Sequence, residues 1–522
     1  MLIAKRLTVR AVRTMSEDVS TSTGFGSRTQ ALPGDFHQVV PSLHAVDVLL
    51  ICPNYASTAL ITDAVVYPIN LAVLAAYLRE RSISVAIIDG RALDYRGDDF
   101  RLAIESIRPK IVGITVMSSY VNRAAEIARI AKDISTEITV VVGGAHISAL
   151  PSQTLESFSC FDIAVVGEGE QTLFELADTI IHKKYRFESI DGIYYREGGS
   201  IRRNRPRALI ADLDSLPYPA FDLLPLERYR PSTNWIKKLP LLMMYTVRGC
   251  PFSCNFCASN VNFGTSVRYR SAESVVAEIE YYKEKYGIKQ VLFNDDLLVI
   301  SKKQIHRFCD LLLERKTDIV WGCFSTVEAM DAGLARKMKQ AGCFMIFFGL
   351  ESGSEAMLRR MNKNYRSPAL AHEVISAVAE AGIVPVGSFI FGYPGETEET
   401  AEQTISFACS LPLRYAIFTT LVPFPGAPIF NHAKDLGILP ETITDWDRFE
   451  ACAKPFLLSD LSEEQLLRFV KCAYGKFYFR PRIIAGAVKD SLSFYKLRNN
   501  ISALGRIVRL MLVRRFDKKV CT

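Results

Sequence analysis

The sequence predicts an α/β protein: a doubly wound, Rossmann-like parallel sheet, then six further βα units, then a helical C-terminal region. Short apolar runs alternate with apolar residues at helical spacing from Val46 to about Ile181, and a second alternation runs from Leu241 to about Leu436. Glycines, carboxylates or cysteines also follow most of the strand candidates. They would sit at the carboxyl ends of the strands, where parallel sheets and barrels bind their ligands.

The first strand candidates are Val46–Ile51, Val85–Ile88, Ile111–Val116, Ile138–Val142 and Ile163–Val166. Helical spacing covers Ile69–Arg81, Arg101–Ile107, Arg123–Ile134 and Gln171–Ile181 between and after them. Cys52-Pro-Asn54 follows the first strand, Asp89-Gly90 the second and Met117-Ser-Ser-Tyr120 the third. Gly143-Gly-Ala-His146 follows the fourth and Gly167-Glu-Gly-Glu170 the fifth. Glycine there lets backbone approach a flat or phosphate-bearing ligand closely. This places a domain at residues 46–188.

Residues 189–240 read as a connection. Gly192 to Ile201 predicts a hairpin turning at Gly198-Gly199, and Leu216-Pro-Tyr-Pro-Ala-Phe-Asp222 predicts an extended linker, since Pro217 and Pro219 remove donors. Residues 241–440 hold strand candidates Leu241–Val247, Val291–Phe293, Ile319–Phe324, Phe344–Phe348, Val386–Phe391 and Tyr415–Val422. Ser271 and Ser367-Pro368 are sensible helix starts between them. Residues 441–522 are helical and basic. A capped helix begins near Ser462 and breaks at Pro481. The terminal run Ile501–Phe516 mixes an apolar face with arginines, so it reads either as a helix docked on the barrel or as one making peripheral membrane contact.

Composition bounds the function. The 522 residues, 49% hydrophobic, can fill the cores of about two to four domains. No apolar stretch reaches the roughly 18 uncharged residues of a membrane-crossing helix. Apart from one cluster, the 12 cysteines lie in apolar patterns, as reduced cysteines of a cytoplasmic protein do. The net charge of +7, from 63 basic and 56 acidic residues, gives no reason to expect nucleic acid as a partner. Residues 1–45, rich in Ser, Thr and Arg before Gly34, read as a disordered extension or a start placed too early, Met15 being available.

The cysteine cluster is Arg248-Gly-Cys-Pro-Phe-Ser-Cys-Asn-Phe-Cys-Ala-Ser259. Its C-x3-C-x2-C spacing puts Cys250, Cys254 and Cys257 on one loop. A closed zinc site wants a fourth ligand, and the nearest histidines, His182 and His306, are remote. The run resembles the signature of the radical S-adenosylmethionine (SAM) enzymes, and Phe256 before the third cysteine fits it too. That resemblance implies a [4Fe–4S] cluster on Cys250, Cys254 and Cys257, with SAM on the open iron. One electron, from a flavodoxin- or ferredoxin-type donor, then cleaves SAM to a 5′-deoxyadenosyl radical. It also implies that the six βα units form a partial (β/α)6 barrel. Asp295, Asp296, Ser325, Glu351 and Gly392 would contact SAM from its strand ends, although each is also a common turn or capping residue.

Val142-Gly-Gly-Ala-His146 with Pro151, and Val166-Gly-Glu-Gly-Glu170, resemble the cobalamin-binding domain that precedes the barrel in one large subfamily. Pro423-Phe-Pro-Gly-Ala-Pro428 resembles a further segment of it, with Ala427 where threonine is usual. The resemblance implies that Ser118, Gly143, Gly144, His146, Gly167, Glu168 and Gly169 line the cobalamin site. The usual cobalt-ligating D-x-H-x-x-G is absent after the first strand, which implies a displaced tail with no histidine replacing it. Retention of the sheet as a bare scaffold is the bland alternative.

The expected function is therefore a cobalamin-dependent radical SAM methyltransferase acting on an unactivated carbon of a small-molecule, lipid-like or tetrapyrrole-like substrate. A non-methylating member such as an oxidative cyclase is the second reading, and a cobalamin- or redox-sensing binding protein the third.

Overall fold

The computed structural model describes residues 45–55, 64–232, 235–450 and 454–490. The expectations for residues 1–44 and for the run Ile501–Phe516 lie outside them.

Strands β1 (Val48–Cys52), β2 (Val85–Asp89), β3 (Ile111–Thr115), β4 (Thr139–Gly143) and β5 (Ile163–Val165) form a parallel sheet in the order β2-β1-β3-β4-β5. Every residue of β1 and β2 is buried, which is why they read as unbroken apolar runs. Helices α1 (Ile69–Glu80), α2 (Gly97–Ile107), α3 (Val121–Ile134) and α4 (Glu170–His182) each bury one apolar face. The hairpin expected in the connection instead extends this sheet. Strand β6 (Ile193–Glu197) pairs antiparallel with β5, and β7 (Ser200–Arg203) pairs with β6. Its inward residues Ile193 and Tyr195 are buried, so the hairpin has a face to pack and does not stand free.

The second sheet contains β8 (Leu241–Met244), β11 (Gln290–Phe293), β12 (Val320–Ser325), β13 (Cys343–Glu351), β14 (Val384–Phe391) and β15 (Tyr415–Thr420), all parallel in the order β15-β14-β13-β12-β11-β8. Its helices include α5 (Ala272–Tyr286), α6 (Lys302–Glu314), α7 (Ala332–Gln340), α8 (Pro368–Glu380), α9 (Glu398–Ser410) and α10 (Pro428–Asp435). Ser271 and Ser367 cap α5 and α8 by accepting from Ser274 N and Leu370 N. The strand expected over Leu241–Val247 is broken. After β8 the chain turns at Tyr245-Thr246 into β9 (Val247–Arg248), which pairs antiparallel with β10 (Arg268–Tyr269). Asp295 causes the break, because its carboxylate takes the backbone donors of Thr246 and Val247.

The C-terminal region divides between the two sheets. Leu439, Ile443, Trp446, Phe449, Phe456 and Leu458 share a core with Val121, Val142 and Ile147 of the first sheet. Helix α11 (Glu463–Tyr478), capped by Ser462 and Gln465, lies along the open edge of β15. There the Tyr474 hydroxyl donates to Phe418 O and accepts from Phe418 N, while the Tyr478 hydroxyl does the same for Ala416. Two phenols thus satisfy backbone groups that a further strand would otherwise pair. The helix breaks as expected, and α12 (Pro481–Asp490) begins at the proline. Among the described residues no helix is long and apolar enough to cross a membrane.

Candidate active site

The cysteine loop leaves β9 through Gly249, whose φ of +90° suits glycine alone, and an added Cβ would meet Ser266 O at 2.3 Å. Cys250 is buried, while Cys254 and Cys257 are half-buried. The loop is pinned to the segment after β13: Asn255 N and Nδ2 donate to Met361 O and Arg360 O, and Asn362 Nδ2 donates to Ser253 O. Ser259 holds the third thiol through its amide (3.4 Å) and hydroxyl (3.1 Å).

Burial pushes the Cys250 thiol up to about 11 and raises Cys254, while Lys363 pulls Cys254 back down. Such thiols ionise readily only against added positive charge, which is what a bound cluster supplies. Among the described residues no three His, Cys, Asp or Glu side chains converge tightly enough for one metal ion. A cluster that takes each cysteine on a different iron asks for wider spacing than a single ion does. Three thiols on a pinned loop, with a lysine beside two of them, therefore fit a [4Fe–4S] cluster.

Around this loop the barrel rim carries the expected acids in three different settings. Asp295 is buried, and its carboxylate accepts from Thr246 N (2.5 Å), Val247 N (2.8 Å) and Thr246 Oγ1 (2.9 Å). Both oxygens are engaged within the fold, and through them Asp295 shapes the turn before the cysteine loop. Burial still raises its carboxyl to about 6. Asp296 is exposed at the rim, yet partial desolvation raises its carboxyl above the usual range, an effect the Ser259 hydroxyl only partly offsets. Glu351 is buried at φ +61°, strained for a non-glycine residue, and its Oε1 meets Lys363 Nζ at 3.1 Å. Ser325 is buried beside Thr326, and Gly392 turns at φ +90° with its N–H donating to Glu396. Phe256 packs against a core to which both sheets contribute, with Lys363 Nζ 5.8 Å from its ring.

Between the two sheets lies a cavity of about 380 Å³. Its floor descends along β1, β3 and β4 (Leu50, Gly113, Val141), its sides are α1 and α4, and its far wall is Tyr245 to Arg248 with Asn262 and Phe263. Gly143, Gly144, Gly167 and Gly169 line it. Gly144, at φ +108°, has no room for a Cβ, which would meet Val116 O at 2.7 Å. In mid-strand, a Cβ on Gly113 would meet Leu50 Cδ2 at 2.7 Å. A long, mostly apolar slot with glycine at its mouth is what a flat ring with a trailing tail needs, so these residues fit cobalamin.

Two of the residues expected at the cobalamin site stand elsewhere. Ser118 and His146 do not line the cavity. Their side chains bond each other (Oγ to Nδ1, 3.0 Å) behind the rim, and the His146 ring meets Trp446 edge-on at 4.6 Å. Burial drops the imidazole to about 3, so it stays neutral and structural. Glu168 does line the cavity, and its carboxylate accepts from Arg248, Arg268 and Ile210 N.

Sequence reading missed Arg248, Arg268, Lys363 and Trp446. Only Arg248 carried a signal, its charge sitting between the β-strand pattern and the first cysteine.

The B12 binding domain family matches residues 62–177, and the Radical SAM superfamily matches residues 244–408. An uncharacterized methyltransferase of Pyrococcus horikoshii is 34% identical over 443 residues, covering 85% of this chain and 94% of the relative. The anaerobic magnesium-protoporphyrin IX monomethyl ester cyclase of Rubrivivax gelatinosus is 27% identical over 447 residues, covering 84% and 78%. Among solved structures, the radical SAM methyltransferase TsrM of Kitasatospora setae, with cobalamin and a [4Fe–4S] cluster bound, superposes with a TM-score of 0.64 at 21% identity, covering 76% and 79%.

Proposed function

The chain belongs to the cobalamin-binding radical SAM methyltransferase family, and from that premise we propose that it methylates an unactivated carbon of a small, apolar substrate of tetrapyrrole-like or lipid-like class. One observation carries the reading. The segment Tyr245–Arg248, which leads into the cysteine loop, and the glycine rim of the first sheet are walls of the same cavity, so the slot for cobalamin abuts the segment that carries the cluster ligands. The magnesium-protoporphyrin relative supports a flat, apolar substrate.

Bound there, the cluster with SAM supplies a carbon-centred radical and cobalamin supplies the methyl group. The chain's own part is placement and exclusion. Cys250, Cys254 and Cys257 hold the cluster. Asp296, Ser325 and Gly392 offer SAM a carboxylate, a hydroxyl and a close-approach backbone, and the Lys363–Glu351 pair sets the charge beside Cys254. Gly143, Gly144, Gly167 and Gly169 clear the mouth for the cobalamin ring. Apolar side chains such as Leu50, Leu74 and Val141 keep the slot dry. No side chain in this scheme acts as a general base. The electron comes from a reduced flavodoxin- or ferredoxin-type donor.

The test is anaerobic loading with iron, sulfide and hydroxocobalamin, then reduction with SAM and chromatography. Formation of 5′-deoxyadenosine together with S-adenosylhomocysteine, on protein that retains cobalamin, is the expected result. 5′-Deoxyadenosine alone, with a tetrapyrrole product changed in oxygen or hydrogen count, would replace methyl transfer by cyclase-type chemistry. Neither product from fully loaded protein would overturn the enzyme reading.

A further inference from the structure

Resting on that reading of the two cofactor sites, we propose that Glu168 and Glu170 are positioning residues. They hold Arg248, and with it the cysteine loop, in one place on the wall of the cobalamin cavity. Strands β9 and β10 set Arg248 opposite Arg268, bringing two guanidinium groups together beside the loop. The first sheet answers with two carboxylates from the turn after β5. Arg248 Nη1 reaches Glu168 Oε1 at 2.8 Å, Arg248 Nη2 reaches Glu170 Oε1 at 2.5 Å, and Arg268 Nη1 forks onto both oxygens of Glu168 at 2.8 and 2.9 Å. The connecting segment is strapped in as well, with Ile210 N donating to Glu168 and Ile210 O accepting from Arg268. All four charged side chains are at most 11% exposed.

Burying four charges is a poor way to gain stability, because desolvation offsets most of the attraction. It is a good way to fix a register, since a slip of either side would leave buried charges unpaired. The register is passed on without slack: Arg248 is followed by Gly249, pressed against Ser266 O, and then by Cys250. The Gly-Glu-Gly-Glu spacing has the matching form. Gly167 turns at φ +78° and Gly169 packs on Leu74 at the cavity edge, while the intervening acids reach across to the barrel. The glycines shape the cofactor site and the glutamates tie it to the other one.

The test is Glu168→Gln combined with Glu170→Gln, read first on protein carrying no cofactor. Amide exchange over residues 249–264 is expected to quicken about tenfold or more while β3 and β12 stay as protected as in the unaltered chain. In the reconstituted enzyme, the ratio of 5′-deoxyadenosine to S-adenosylhomocysteine is expected to shift at least about threefold, because displacement between the sites affects methyl transfer and SAM cleavage unequally. Exchange that is unchanged, or that quickens across both sheets with an unaltered product ratio, overturns the proposal. If the double variant does not fold, Arg248→Lys carries both readouts, since a lysine has one nitrogen where Arg248 sets two, Nη1 and Nη2, on separate carboxylates. Unaltered protein that loads no cobalamin and cleaves no SAM would sink the functional reading instead, and the exchange measurement would still decide the lock.

Discussion

At the ends of β4 and β5 the first sheet presents Gly144 and Gly167, positions where an added methyl group has no place or no permitted backbone angle. At the ends of β9, β11 and β13 the barrel presents Cys250, Asp295, Asp296 and Glu351, with Lys363 paired to Glu351. One rim works by absence of side chains and the other by charge and thiol held in fixed places. The difference follows from what each must hold: a bulky ring needs cleared space, while a cluster and a zwitterionic SAM need ligands and counter-charges. The two rims should therefore fail separately and in different ways.

The sharpest break is Cys254→Ala. Removing one of three cluster ligands should take cluster content and 5′-deoxyadenosine formation to background, with cobalamin still bound at near-unaltered stoichiometry. Iron analysis and the visible spectrum of desalted protein check both. Loss of cobalamin along with iron would mean that the rims form one cooperative site, and the comparison would collapse.

A pH experiment separates the regions next. Glu396, buried behind the barrel's Gly392 turn with Oε1 unpartnered, is raised by burial from 4.5 to about 7. A carboxyl that holds its proton longer when folded contributes stability below pH 4.5 and loses it as pH rises through about 7, up to about 3 kcal/mol. His146, behind the first rim, is lowered by burial from 6.5 to about 3. An imidazole that refuses a proton when folded has the opposite sign: its contribution is full above pH 6.5 and falls as pH drops, at about 1.4 kcal/mol per unit. Urea titrations of cofactor-free protein from pH 5 to 8 should show Glu396→Gln flattening the alkaline loss and His146→Asn flattening the acid loss. Equal slopes in both variants would show that these two groups do not control the response.

Glycine substitutions test the rims directly. Gly144→Ala and Gly249→Ala each force a Cβ into positive φ against a carbonyl oxygen, costing on the order of 1–3 kcal/mol. The readouts should diverge, cobalamin retention falling in the first and iron incorporation in the second.

What was legible in the sequence tracks the range of the interactions involved. Strand positions other than β8 and β13 came through to within one or two residues, because buried parallel strands such as Val48–Cys52 are apolar runs bounded by turn residues. The cysteine loop and the glycines were legible because ligand spacing and backbone freedom are local properties. The purposes of Glu168, His146 and Asp295 were not. Each follows a strand as a cofactor contact would, yet its partner lies far away in the chain, 80 residues off for Glu168 and Arg248. Residue type marks a strand end as special without saying what claims the side chain. The return of Trp446 to the first sheet was hidden for the same reason, since its fit depends on a histidine whose place only the fold sets.

The smallest expected effect contrasts an exposed link between the connecting segment and the first sheet with the buried one. Asp222 pairs with Arg79 through two bonds of 2.6 and 3.0 Å, but both side chains are over 40% exposed. Solvent screens such a pair and side-chain entropy opposes it, so Asp222→Asn should cost at most about 1 kcal/mol and should leave the product ratio unmoved. Whatever it costs should vanish in about 1 M salt, where the screening length shrinks to about 3 Å. The Glu168–Arg248–Arg268 group, sealed from ions, should keep its effect on the product ratio at the same salt. If salt erased both, the buried group would be open to solvent in solution, and the cysteine loop would have to be held by Asn255 and Asn362 alone.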